Sequence, residues 1–371
     1  MKIFGNLKKE VKEKKSYVEL PNLVVGEDIH TLCYIFKRKE EFESSKVITS
    51  KKLNTADIFG KGYEKIRGEQ NIKFCMGSSI KDSLSEEFSS TTFYKDNQFR
   101  PFGGRSKNET LQKEEVFFIQ KSKKFVFEKE LFFLKDSSFW DFFNKKSYTG
   151  QIKGVNFKEI DSSWTVELLN GTIFSSKNLI WGLPPWKLLS FIENKSSLNN
   201  EFIEFCENTK GAFGLKVLFK LKKKISDMGE TFFIPLSLTH EWGHFLGNFF
   251  EMNGEHFLEL QHYFDPEELS EEEVSRRIKI LKRSLEKIFP SFSKALENEY
   301  LSIDENATQL VDNPLLKDKS KIEGLTFVGE NAPLSGLDRS TETQGLSHFV
   351  RGLISSGLVT ESSKEGLSLQ V

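Results

Sequence analysis

Residues 22–50, NLVVGEDIHTLCYIFKRKEEFESSKVITS, constrain the fold more than any other part of this chain. Leu23, Val24 and Val25 form a short apolar run that stops at Gly26. Leu32, Cys33, Ile35 and Phe36 then recur at helical spacing until charges take over, and a second β-rich run follows at 46–50. Strand, turn, helix, strand is a βαβ unit, which commits the chain to a parallel pair with a helix crossing one sheet face. Such a unit opens nucleotide-binding domains, and it also serves as plain scaffold.

Further along, residues 57–147 mix serine-rich, charged and phenylalanine-rich pieces, with RPFGGRSKN a turn. The pattern clears from Tyr148. GQIKGVNFKEI, SWTVELL and GTIFSS alternate apolar and polar residues between Asp161-Ser162-Ser163 and Asn170-Gly171, which predicts an antiparallel meander. NLIWGLPPWKLLSFI gives a buried strand stopped at Pro184-Pro185, then a helix. GAFGLKVLFKLKK reads as a strand, and 265–290 as an amphipathic helix. Ser270 and Glu273 make its capping box, Val274, Ile278, Leu281 and Leu285 its buried stripe, and Pro290 its end. GLTFVGENAPLSG is a strand entering a glycine turn, and TETQGLSHFVRGLISSGLV a helix with Leu346, Phe349, Val350, Leu353 and Ile354 on its apolar face.

Charge and cysteine usage exclude some functions. The 53 Lys and Arg nearly balance 54 Asp and Glu, so no basic field points to nucleic acid. No apolar run approaches the roughly 20 residues that cross a bilayer, and the lysine-rich start lacks the apolar stretch of a signal peptide. Cys33, Cys75 and Cys206 form no C-x-x-C pair, which suits a reducing compartment. The expectation is a cytoplasmic protein with no transmembrane segment.

One motif argues for a different chemistry. HEWGH at 240–244 is an H-E-x-x-H, and on a helix His240 and His244 would ligate zinc while Glu241 activates a water. Asn253-Gly254, however, is a strong hairpin signal between two aromatic-rich, β-like runs, and Gly243 and Gly247 weaken a helix. The third histidine of a metzincin-like site is replaced by Phe250, and Glu259, the available carboxylate, falls on the partner strand. The residues therefore predict a sheet with no metal, and a zinc metallopeptidase is the alternative.

Taken in order, these segments resemble the flavin-dependent amine oxidase superfamily, in particular its protoporphyrinogen oxidase and phytoene desaturase branch. Gly26, Asp28 and Thr31 fall on the three glycines of the family's opening turn. Residues 181–185 resemble its Ala-Thr-Pro strand end, Gly329-Glu330 its closing Gly-Asp, and Gln344-Gly345-Leu346 its Glu-Gly-Ala helix start under the flavin. The resemblance implies an α/β fold: a Rossmann-like FAD/NAD(P)-binding domain at 15–60, 148–195 and 320–371, with an interleaved α+β substrate domain at 61–147 and 196–319 containing an antiparallel sheet. It implies FAD as cofactor, a small-molecule substrate, and Gly26, Asp28, Thr31, Gly329, Glu330, Gln344 and Gly345 as the cofactor-binding positions. It names no catalytic residue, because the flavin itself takes the hydride, and it leaves the oligomeric state open.

The departures carry as much weight as the matches. Glycine at the second position lets backbone approach a pyrophosphate, and at the third lets helix and strand pack closely. Asp28 sets a carboxylate there, and two like charges about 4 Å apart repel by about 4 kcal/mol at an effective dielectric near 20. Thr31 adds atoms to a crowded place, an overpacking of roughly 1–3 kcal/mol. The acid expected at the end of the second strand is Ser50 or Lys51. Gly103-Gly104-Arg105 matches the family's Gly-Gly-Arg far from its usual place. The sequence therefore predicts weak or lost FAD binding: a divergent oxidoreductase, or a pseudoenzyme that kept the fold as a binding or partner protein.

Overall fold

The computed structural model describes residues 16–54, 63–67, 84–88, 91–101, 122–127, 129–192, 195–208, 212–229, 231–235, 244–252, 254–264, 270–307, 322–332 and 348–358. The chain starts with β1 (Tyr17–Val25), α1 (Ile29–Lys37) and β2 (Lys46–Thr49). Five strands follow: β3 (Tyr63–Arg67), β4 (Leu84–Phe88), β5 (Thr91–Lys95), β6 (Gln98–Pro101) and β7 (Ser122–Val126). Next come α2 (Ser137–Lys146), β8 (Ser147–Thr149), the meander β9 (Ile152–Lys158), β10 (Ser163–Leu168) and β11 (Ile173–Trp181), then α3 (Pro185–Phe191) and α4 (Asn200–Asn208). The remainder is β12 (Ala212–Leu221), β13 (Thr231–Pro235), β14 (His244–Met252), β15 (Glu255–Phe264), α5 (Glu271–Ile288), α6 (Phe292–Ala295), β16 (Leu296–Ala307), β17 (Leu325–Phe327) and α7 (His348–Ser355).

The first sheet runs β8-β2-β1-β11-β10-β9. β8, β2, β1 and β11 are parallel neighbours, with Leu23 opposite Leu179. The other edge of β11 is shared: its first half pairs antiparallel with β10, and its last three residues pair parallel with β17, Leu179 opposite Leu325. Segments near 22–50, 176–182 and 325–329 thus meet in one parallel sheet. β1 is buried on both faces over its last three residues, which explains its unbroken Leu-Val-Val run. Val24 faces a core holding Leu32, Ile35, Phe133 and Phe139, whereas Leu23 and Val25 face one holding Trp164, Trp181, Leu188 and Phe202.

The second sheet, order β16-β12-β15-β14-β13-β5-β6, is antiparallel except where β13 meets β5. β14 and β15 form the hairpin that Asn253-Gly254 signals; Gly254 has φ +75°, a conformation glycine adopts freely. α5 is capped by Ser270, whose side chain accepts Glu273 N–H at 3.1 Å, and its Leu281 and Leu285 are fully buried with Leu215, Val217 and Phe219. One residue departs from the predicted stripe. Arg277 is buried and donates to Glu273 Oε1 at 2.7 Å and to His262 Nε2. His262 donates its Nδ1–H to the His244 carbonyl at 2.9 Å, which leaves Nε2 as the acceptor the guanidinium needs. β3, β7 and β4 make a small third sheet. Among the described residues, no helix is long and apolar enough to cross a membrane.

Candidate functional site

In an open α/β sheet the ligand crevice lies beyond the carboxyl ends of the strands, where neighbouring strands lead off to opposite sides. Here that place lies between β1 and β11, because β1 continues to β2 on one side and pairs with β11 on the other. Gly26, Gly182 and Gly329 stand just past the ends of β1, β11 and β17. Backbone bonds tie the three tips together. Gly26 N–H donates to Ile48 O at 3.1 Å, Gly182 N–H to Val25 O at 2.7 Å, and Val328 N–H to Trp181 O at 2.9 Å.

Asp28 is the N-cap of α1, with extended φ −83° and ψ 170°. Its Oδ1 accepts Thr31 N–H at 2.8 Å and also the Thr31 hydroxyl. Its Oδ2 lies 3.4 Å from His30 Nδ1, close enough to take a third donor. The carboxylate therefore occupies the helix N-terminus, where unsatisfied N–H groups and the helix dipole favour an anion. It also reaches across the crevice, since a Cβ on Gly329 would come within 3.3 Å of Asp28 Oδ2. Burial first, and the Asp28 carboxylate second, push the neighbouring Cys33 thiol far above its ordinary range.

The structure changes the expected reason for poor cofactor fit at Thr31. Its side chain is fully buried without crowding, because two glycines make room for it. A Cβ on Gly26 would lie 2.6 Å from Thr31 Oγ1, and one on Gly182 would collide with the same atom. The space a third-position glycine leaves open is filled and hydrogen-bonded.

The missing acid of the second strand also has a counterpart. Glu27, which the sequence reading passed over, accepts Ser50 N–H at 2.8 Å and the Ser50 hydroxyl at 2.7 Å. A carboxylate therefore stands at the tip of β2, supplied by the turn instead of the strand. At the closing end, Gly329 has φ +119° and its N–H donates to Ser355 Oγ of α7 at 3.0 Å. That amide, expected to face a flavin, is used within the fold. Glu330 follows it, half-buried. Gly26, Asp28, Thr31 and Gly329 thus come together, while Gln344, Gly345 and Gly103 to Arg105 lie outside the described residues.

Of the histidine motif, His240 and Glu241 also lie outside the described residues. His244 opens strand β14, buried, with its ring edge-on to Phe233 at 4.4 Å. Phe250, at the metzincin ligand position, stacks on Phe257 at 5.2 Å. The helix a zinc peptidase needs does not include His244.

No protein-family model and no curated protein matches the sequence. Solved structures do. An oxidoreductase from Methanosarcina mazei matches with a TM-score of 0.51 and 12% identity over 90% of this chain and 99% of its own. A putrescine oxidase redesigned in its cofactor binding matches with a TM-score of 0.50 and 11% identity over 92% of this chain and 98% of its own. At such identity the likeness is one of fold: α/β, with a Rossmann-like parallel sheet and an antiparallel sheet, as in these oxidoreductases.

Proposed function

We propose that this chain is a divergent relative of the flavin-dependent oxidoreductases, of amine oxidase type, that has lost tight FAD binding and acts as a non-catalytic binding protein. The observation that carries this reading is the Asp28 carboxylate. It sits on the α1 N-terminus and beside Gly329, where the cofactor's pyrophosphate would have to lie. The residues present do not fit FAD at this point: the anion position is taken, and Thr31 fills the gap behind it.

The remaining contacts agree. Glu27 is engaged with Ser50 and the Gly329 amide with Ser355, so neither offers its groups without first breaking an internal bond. The proposed cofactor positions, Gly26, Asp28, Thr31, Gly329, Glu330, Gln344 and Gly345, are then those of an ancestral site. The oxidoreductase reading, with a small-molecule substrate, is the competitor.

The deciding measurement is the visible spectrum of the purified protein, followed by a flavin fluorescence titration. A colourless protein with no saturable quenching below about 100 µM FAD, weaker than about −5.5 kcal/mol, is expected. Yellow protein with stoichiometric flavin would overturn the proposal and leave an ordinary flavoenzyme.

A further inference from the structure

We infer that Asp28 has replaced a bound diphosphate as the anion that completes the turn, so that the ligand-free fold is the finished one. This rests on the reading just given and adds to it a mechanism: occupancy, not repulsion. Repulsion alone would leave the α1 N-terminus open and merely unfriendly to phosphate. The geometry is different. The carboxylate has three donors, from Thr31 N–H, Thr31 Oγ1 and His30 Nδ1. Glycine at 26 and 182 lets the donating threonine into place.

The same carboxylate connects elements that a dinucleotide would otherwise bridge. His30 is buried, and its ring lies against Gly352 of α7, where a Cβ would collide with it. Gly329, at the end of β17, is held to the same helix by Ser355. Asp28 faces both: its Oδ2 lies 3.4 Å from His30 Nδ1, and a Cβ added to Gly329 would come within 3.3 Å of the same oxygen. The α1 start, the β17 end and α7 therefore converge on one side chain of this protein. Glu27 plays a parallel part at the tip of β2 through Ser50.

Two substitutions separate occupancy from repulsion. Asp28→Asn keeps a capping oxygen and removes the charge, since asparagine caps as well as aspartate. Asp28→Ala removes the acceptor. Thermal melts would be recorded with inorganic phosphate titrated against chloride at constant ionic strength. Wild type and Asp28→Asn should melt alike and ignore millimolar phosphate. Asp28→Ala should melt roughly 1–3 °C lower, the size of a lost cap in a chain of this length, and recover as phosphate takes the vacated position. Should Asp28→Ala fold only with phosphate present, circular dichroism would read the same rescue. A phosphate response in Asp28→Asn would overturn the inference, because charge alone would then have kept anions out. So would an Asp28→Ala protein that melts like wild type and ignores phosphate. Neither result makes the wild type yellow, so failure here is distinguishable from failure of the proposed function.

Discussion

His262 shows what a single buried residue contributes. Burial first, then the Arg277 guanidinium, hold its pKa down at about 3. Hydrogen bonds from Arg276 and Arg277 hold the Glu273 carboxyl at about 2, below its ordinary 4.5. Both values are depressed on folding, so both groups favour the folded state at neutral pH and lose that effect on acidification. For His262 the contribution is complete above about pH 6.5, its unfolded value, and is lost as pH falls toward 3. For Glu273 the loss begins only near 4.5. Between pH 6.5 and 4.5 His262 therefore acts without Glu273. Urea unfolding free energies should fall there with a slope approaching about 1.4 kcal/mol per pH unit, and His262→Gln should remove that component. An unchanged slope in the variant would show that the histidine titrates as freely when folded as when unfolded. The sequence concealed this cluster: Arg277 sits one position off an apolar stripe, and only the packing of α5 on β15 turns it inward.

At the scale of elements, α1 and α7 meet through Gly352, whose missing side chain leaves the space for the His30 ring. At an exposed helical site Gly→Ala stabilises by up to about 1 kcal/mol. At Gly352 the same change should instead destabilise by roughly 1–3 kcal/mol, by overpacking against the ring. Urea melts decide the sign, and a stabilised Gly352→Ala protein would mean that the helices pack elsewhere. Elements with a strong local signal were legible: the α5 capping box, the meander, and the Gly254 hairpin. The β5–β6 hairpin lies in the stretch of mixed pattern, and its turn is made by Asp96 and Asn97, both at positive φ. The candidate site was legible only in part. Gly26, Asp28, Thr31 and Gly329 could be named, but not that Asp28 caps its own helix. Glu27 gave no local sign, because its partner Ser50 arrives from the next strand, 23 residues on.

The whole molecule depends on a central strand that cannot be finished locally. Ser176 Oγ donates to Pro21 O across 155 residues, and Trp164 Nε1 to Glu323 O across 159. Phe327, Val328, Ala332 and Leu353 reach the cores of the first sheet only from the last segments. A chain cut after residue 321 should therefore lose cooperative melting and bind a hydrophobic dye. A truncated protein with a single sharp transition at the wild-type temperature would show that β17 and α7 are accessory. Division of the chain into two discontinuous domains remains a proposal for limited proteolysis to address. The shared edge of β11 also has a consequence in time. As the chain leaves the ribosome, the meander can form as soon as residue 181 emerges, and β1 can dock then as well. The last three residues of β11 still wait for β17, nearly 150 residues later, with an unpaired edge open to any extended segment. At roughly 5–20 residues per second that exposure lasts on the order of ten to thirty seconds. Nascent protein stalled between those points should be the form that chaperones hold longest.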